Sequence, residues 1–182
     1  MTDSDGISLV DRLRVLPTET EWLEFKRARC APQEIGEYFS ALANSACLAR
    51  EHRGYLLFGI DDATHKVVGT NYDPYSEKGK GNQGLLPWLA AGLRPNIGVE
   101  QRIVAHPDGR VVLFEIGPAK DQPVSFYGTP FVRVGTSKTE LSKHPEKARA
   151  IWARGRDWSG ETVTYCVPPE YIEREAVAGR SR

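Results

Sequence analysis

Gly54-Tyr55-Leu56-Leu57-Phe58-Gly59-Ile60-Asp61-Asp62 is apolar on both faces before it ends in two acids, the pattern of a strand in the middle of a sheet whose carboxylates emerge where the strand runs out. Upstream, Glu19-Thr20-Glu21-Trp22-Leu23-Glu24-Phe25-Lys26 leads into a half-buried strand over residues 21–28, with Leu23 and Phe25 on one side and Trp22, Glu24 and Lys26 on the other. If the fold brings Glu24 together with the tip aspartates, the result is a small acidic site beside Lys26. Mg²⁺ and Mn²⁺ prefer oxygen ligands of this kind. A bound ion would activate water and neutralise charge on a phosphodiester in flight, and Lys26 would add a fixed positive charge, which is the chemistry of a nuclease. Glu19 stands at an odd separation from Glu24, so it joins such a site only from the preceding turn. The same residue types also describe a solvated, salt-bridged strand flank.

Working outward, Ile35, Tyr38, Phe39, Leu42 and Ala46 recur at three and four residues, which predicts a helix from Pro32 to about Leu48 with one buried face and a proline in its first turn. Leu9, Val10, Leu13 and Leu16 predict a shorter helix before Pro17. Lys66-Val67-Val68-Gly69 reads as a strand returning from the acidic turn, and residues 70–82, rich in Gly, Pro, Asn and Tyr, as a long surface loop. A helix over 83–93 follows, then strands over 97–105, 110–116 and 128–134, with a short one at 123–126. Ser142 to Arg156 reads as a basic helix with Ile151 and Trp152 facing inward, and Thr162 to Val167 as one more strand-like piece. This order predicts an α+β domain with a mostly antiparallel sheet flanked by helices. It occupies residues 16–157, with an N-terminal extension (1–15) and a C-terminal tail (158–182).

The 182 residues suit one sizeable core, and 40% hydrophobic with 26% charged residues is ordinary for a globular protein. No apolar run is long enough to cross a bilayer and Met1-Thr2-Asp3-Ser4-Asp5-Gly6 lacks a signal-peptide pattern, so the expectation is a cytoplasmic protein with no membrane partner. Cys30, Cys47 and Cys166 form no CxxC pair and read as reduced structural thiols. The four histidines show no ligand spacing and read as solvent-facing. No GxxxxGK[ST] string occurs, which removes a P-loop NTPase. Bases and acids cancel at 24 each, against a protein that coats nucleic acid through a global field. From Arg133 to Arg156, however, seven bases face two acids, and a local stripe of this kind suffices to bind a phosphate backbone. Arg133, Lys138, Lys143, Lys147 and Arg149 are the candidate nucleic-acid contacts.

Several ordered blocks point further. Glu19…Glu24-Phe25-Lys26, Ala41-Leu42-Ala43-Asn44-Ser45, Gly54 to Asp62 with Val68-Gly69, Pro123-Val124, and Phe131-Val132-Arg133-Val134-Gly135 together resemble the Schlafen-type Alba-like domain over roughly residues 16–140. The chain departs from that pattern by inserting residues 46–53 before a single Gly54, and by lacking the zinc-binding His/Cys group of animal Schlafens. The resemblance implies an endoribonuclease acting on structured RNA such as tRNA, toxic or defensive in role, with Glu19, Glu24 and either Asp61 or Asp62 as active carboxylates. Catalytic candidates are therefore Glu19, Glu24, Lys26, Asp61 and Asp62, and the four acids are the metal candidates for Mg²⁺ or Mn²⁺. The alternative is a non-catalytic DNA- or RNA-binding regulatory module. Animal Schlafens pair two copies of the domain into a basic groove, which a homodimer of this chain would rebuild.

Overall fold

The computed structural model describes residues 3–17 and 20–154. The tail from 155 onward, with the strand expected at 162–167, and Glu19 lie outside the described residues. In chain order the elements are α1 (Asp3–Arg14), β1 (Leu23–Lys26), α2 (Pro32–Ala49), β2 (Gly54–Phe58), α3 (Leu85–Gly92), β3 (Leu93–Arg94), β4 (Val99–His106), β5 (Gly109–Ile116), β6 (Ser125–Phe126), β7 (Thr129–Val134), β8 (Ser137–Glu140), a 3₁₀ turn (Leu141–Lys143) and α4 (Pro145–Arg154). Two four-stranded sheets form, ordered β1-β2-β5-β4 and β3-β6-β7-β8. Among the described residues only the β1–β2 pair is parallel, with α2 as its crossover. The architecture is the expected α+β fold with mostly antiparallel sheets.

Helix α2 is the centre of the molecule. All residues from Ile35 to Cys47 except Glu37 are buried, because one side meets the first sheet through Leu56, Phe58 and Phe114 while the other meets Phe126 and Val132 of the second. Gly36 allows the second contact: a Cβ there would fall 2.1 Å from the Phe126 ring. The opposite face of the first sheet packs Leu23, Phe25, Leu57 and Leu113 under Leu9, Val10 and Leu13 of α1. The predicted alternation is thereby realised within β1, with Glu24 and Lys26 on the α2 side; Trp22, expected on that side, precedes the strand and instead packs with the Leu23 and Phe25 cluster.

A polar stripe on α2 ties down the second sheet. Asn44 donates from Nδ2 to the carbonyls of Val124 (2.8 Å) and Phe131 (2.7 Å) and accepts from the Val124 N–H (2.8 Å). Ser40 accepts from the Phe131 N–H at 2.9 Å and Ser45 from the Arg133 N–H at 3.1 Å. Side chains thus satisfy backbone groups that a neighbouring strand would otherwise satisfy, and Ser45 fixes the residue that carries the Arg133 guanidinium.

Four further local expectations are corrected. Lys66–Gly69 does not return as a strand: β2 is flanked by β1 and β5, and Ile60 and Val67 form only an isolated bridge. The cause is Gly59, whose φ of +94° breaks the extended backbone; a Cβ there would meet the Arg110 carbonyl at 2.8 Å. The basic helix begins at Pro145 instead of Ser142, since a residue before proline is kept out of the helical region and His144 sits at φ −131°, ψ 67°. Ile151 is its buried inward residue, with Ala148 packed partly buried against the same core; Trp152, one position on from Ile151, is 47% exposed. His106 is buried beside Asp11, not solvent-facing. Strand β8, absent from the expectation, is a polar Ser-Lys-Thr-Glu edge with no apolar alternation to announce it.

Candidate functional site at the β1 edge

Strand β1 is the edge of its sheet, and β7 of the second sheet passes beside it. Glu24 and Arg133 meet across this seam. Arg133 is 2% exposed; its Nη1 contacts Glu24 Oε2 and donates to the Leu23 carbonyl. Lys26 takes the other Glu24 oxygen at 3.0 Å and stands 3.8 Å from Glu34, with its ammonium 4.6 Å above the Tyr38 ring. Burial opposes the Lys26 charge, yet the Tyr38 hydroxyl and the Glu24 carboxylate outweigh it and hold the lysine pKa above its ordinary value. Lys26 is therefore a permanent cation.

The two tip aspartates have separate tasks. Asp61 Oδ1 accepts from the Thr64 N–H and hydroxyl, both at 2.8 Å, and its Oδ2 pairs with Arg27 at 3.0 Å. Those Thr64 hydrogen bonds, helped by Arg27, lower its pKa. Asp61 builds the turn. Asp62 instead lines a cavity of about 120 Å³ with Glu24, Arg133, His65, Thr20 and Thr136. Residues 38 positions apart in sequence thus share one wall, and of the two aspartates it is Asp62 that faces the cavity.

Mg²⁺ or Mn²⁺ needs one or two carboxylates open to it, with waters and phosphate completing the shell. Both Glu24 oxygens are engaged by cations, and among the described residues no three His, Cys, Asp or Glu side chains gather to hold a metal ion. As arranged, the described donors do not fit a resident divalent ion. Cys30 offers no nucleophile either, because burial, with Glu34 adding to it, pushes its thiol pKa up to about 12.

The basic stripe divides in two. Lys138 pairs with Glu37 at 2.6 Å, tying β8 to α2, and Lys147 with Glu21 at 2.8 Å, tying α4 to the seam. Lys143 and Arg149 are exposed. Glu21, whose other oxygen accepts the Gly135 N–H at 2.9 Å, is a seam residue that sequence reasoning passed over; its position two residues before Leu23 carried no signal of a partner on α4. The exposed cations also include two outside the stripe: Arg27 and Arg29, whose side chains are 69% and 70% exposed, immediately follow β1. Arg29 and Lys78 line a common cleft.

The family model described as Schlafen, AlbA_2 matches residues 19–142. No curated protein matches the chain. Among solved structures it is similar to the DIP2311 protein of Corynebacterium diphtheriae (16% identity, TM-score 0.43, 76% of this chain and 30% of that one). It is also similar to the N-terminal domain of a RecG-related protein of Nitrosomonas europaea (22% identity, TM-score 0.44, 74% of this chain and 91% of that one). The chain therefore spans under a third of the length of the first of these. With more than half of its residues inside the family model, this chain belongs to the Schlafen, AlbA_2 family.

Proposed function

We propose that this protein is a nucleic-acid-binding module, gripping a phosphate backbone across the end of β1. The observation that carries this reading is the exposure of Arg27 and Arg29, about 70% each, with Lys78 in the same cleft as Arg29. Their partners Asp61 and Glu77 hold them at 3.0 Å; exposed pairs of this sort are weak, so phosphate oxygens can replace the carboxylates. Lys143 and Arg149 extend the cationic surface, with RNA preferred to DNA and two copies of the chain completing the groove. Anisotropy titrations with a labelled tRNA over a range of salt test it. Replacing Arg27 and Arg29 with Ala is expected to flatten the log–log salt slope by roughly 2, and Lys143→Ala by a further step of about 1. Binding that ignores salt, or that both changes leave untouched, sinks the reading.

A second reading is a metal-dependent endoribonuclease acting on structured RNA such as tRNA. It is favoured by Glu24 and Asp62 lining one cavity beside Arg133. It predicts that the purified chain nicks tRNA when Mn²⁺ is supplied, and that Glu24→Ala and Asp62→Asn each abolish nicking while tRNA binding persists. A tRNA pool left intact after incubation with either Mg²⁺ or Mn²⁺ removes this reading and leaves binding alone.

A further inference from the structure

A two-residue loop, Tyr127-Gly128, joins β6 to β7, where Phe126 pairs with Thr129. Both loop residues have positive φ, +45° at Tyr127 and +89° at Gly128, which is what the tight hairpin turn that favours Asn-Gly requires. Glycine adopts that backbone freely and asparagine tolerates it, whereas a bulky aromatic is strained there. Such strain persists only where the surroundings hold it, and it gathers at binding sites. The held side chain is also open to solvent, with Tyr127 53% exposed. Its covered side rests on the end of α3. The ring lies 5.3 Å from that of Trp88 at an interplanar angle of 35°, and it meets the Phe126 ring edge-on at 4.9 Å. The Tyr127 N–H donates to the Gly92 carbonyl at 2.8 Å. Gly92 leaves room for the ring, since a Cβ there would fall 2.7 Å from it.

Two contacts join this aromatic cluster to cations. A Cβ on Gly79 would fall 2.5 Å from the Trp88 side chain, so the segment Lys78-Gly79-Lys80 crosses Trp88, and both lysines are exposed. Phe126 packs on Gly36 in the second turn of α2, and the residues that lead into that helix, Ala31 and Pro32, line the cleft of Arg29 and Lys78. The fold therefore sets an exposed aromatic ring beside positive charges that suit phosphate. Aromatic rings next to a cationic track hold nucleic-acid strands by stacking on their bases. Only an unpaired base can be splayed out to stack in this way; a base inside a duplex is already covered by its neighbours.

We propose that Tyr127 stacks on an unpaired base of a nucleic-acid strand whose phosphates run over Arg29, Lys78 and Lys80, so that the protein selects looped or single-stranded segments over duplex. This rests on the phosphate grip at Arg27 and Arg29 and names the strand which that grip selects. Anisotropy titrations of the full chain at one salt concentration, comparing a labelled RNA hairpin that carries an unpaired loop with the blunt duplex of its stem, test it. The hairpin is expected to bind more tightly than the duplex. Tyr127→Asn should weaken the hairpin about tenfold and leave the duplex unchanged. Asparagine suits the turn, so this variant should unfold near the wild-type temperature and its lost affinity reports the ring. Tyr127→Leu, which keeps apolar bulk without an aromatic face, should lose the hairpin preference even if Tyr127→Asn fails to fold, and Tyr127→Trp should retain it. Equal wild-type affinity for hairpin and duplex, or a hairpin preference that survives in Tyr127→Asn or Tyr127→Leu, overturns the proposal and leaves the phosphate grip standing. Binding to neither RNA overturns both.

Discussion

The two edges of the first sheet treat buried polar groups in opposite ways. At β1, both oxygens of Glu24 have cationic partners, with Arg133 and Lys26 closing the carboxylate in. At β4, the amide of Gln101 is equally withdrawn from water and has no partner among the described residues. A carboxylate paired on both oxygens locks two layers together, even though the Nε of Arg133 is left without a partner among the described residues, whereas an amide unsatisfied at both ends costs stability outright. The acidic motif that draws the eye in the sequence is therefore a structural clasp in its described state. The inconspicuous glutamine is the side chain left unsatisfied at both ends.

The largest effect that would sharpen this contrast is expected from Arg133→Leu. It leaves Glu24 buried beside an apolar side chain and should cost about 3–5 kcal/mol in urea unfolding, whereas Glu24→Leu combined with Arg133→Leu should recover most of the loss. A single variant as stable as the wild type would show that the clasp is not one. Gln101→Leu should move the other way, raising stability by about 1 kcal/mol because no partner is abandoned; a clear loss would break the comparison. A smaller change is expected from Glu21→Gln. The Glu21–Lys147 pair is partly exposed, so its loss should cost at most about 1 kcal/mol and less as salt is raised.

The smallest effect concerns pH. The Asp61 carboxyl is held below its ordinary value by the Thr64 N–H and hydroxyl. A depressed folded pKa stabilises above the unfolded value, near 3.9 for aspartate, and that contribution is lost as the pH falls through the folded value. Asp61→Asn keeps an oxygen for Thr64 but cannot titrate. Its unfolding midpoint should vary less than the wild type's between pH 5 and pH 2, roughly the window that bounds such a carboxylate. Matching acid profiles for the two proteins would show that Asp61 does not feel the turn.

How far the sequence reaches is clearest at β1 and at the tip beyond β2. The alternation of Leu23, Glu24, Phe25 and Lys26 correctly assigned both faces of the strand, because a period of two leaves no other solution once Leu23 and Phe25 must be buried. The acids at the strand end were also placed correctly, but not their division of labour. Asp61 and Asp62 are indistinguishable by type, and only the turn through Thr64 commits one to the backbone and directs the other to the cavity. The expected return strand failed because Gly59 at positive φ ends the extended backbone where hydropathy alone would continue it.

What this chain's order of residues determined unaided is local and periodic: the long buried helix α2, the apolar strand β2, and the family blocks themselves. These follow from hydrophobic period and backbone chemistry within a few residues. What tertiary structure alone decided is partnership. Arg133 finds Glu24 from more than a hundred positions away, Lys147 finds Glu21 from further still, and Gln101 finds no one among the described residues. A charge or an amide carries no mark of its partner along the chain, and its meaning is settled only when packing chooses its neighbours and excludes water.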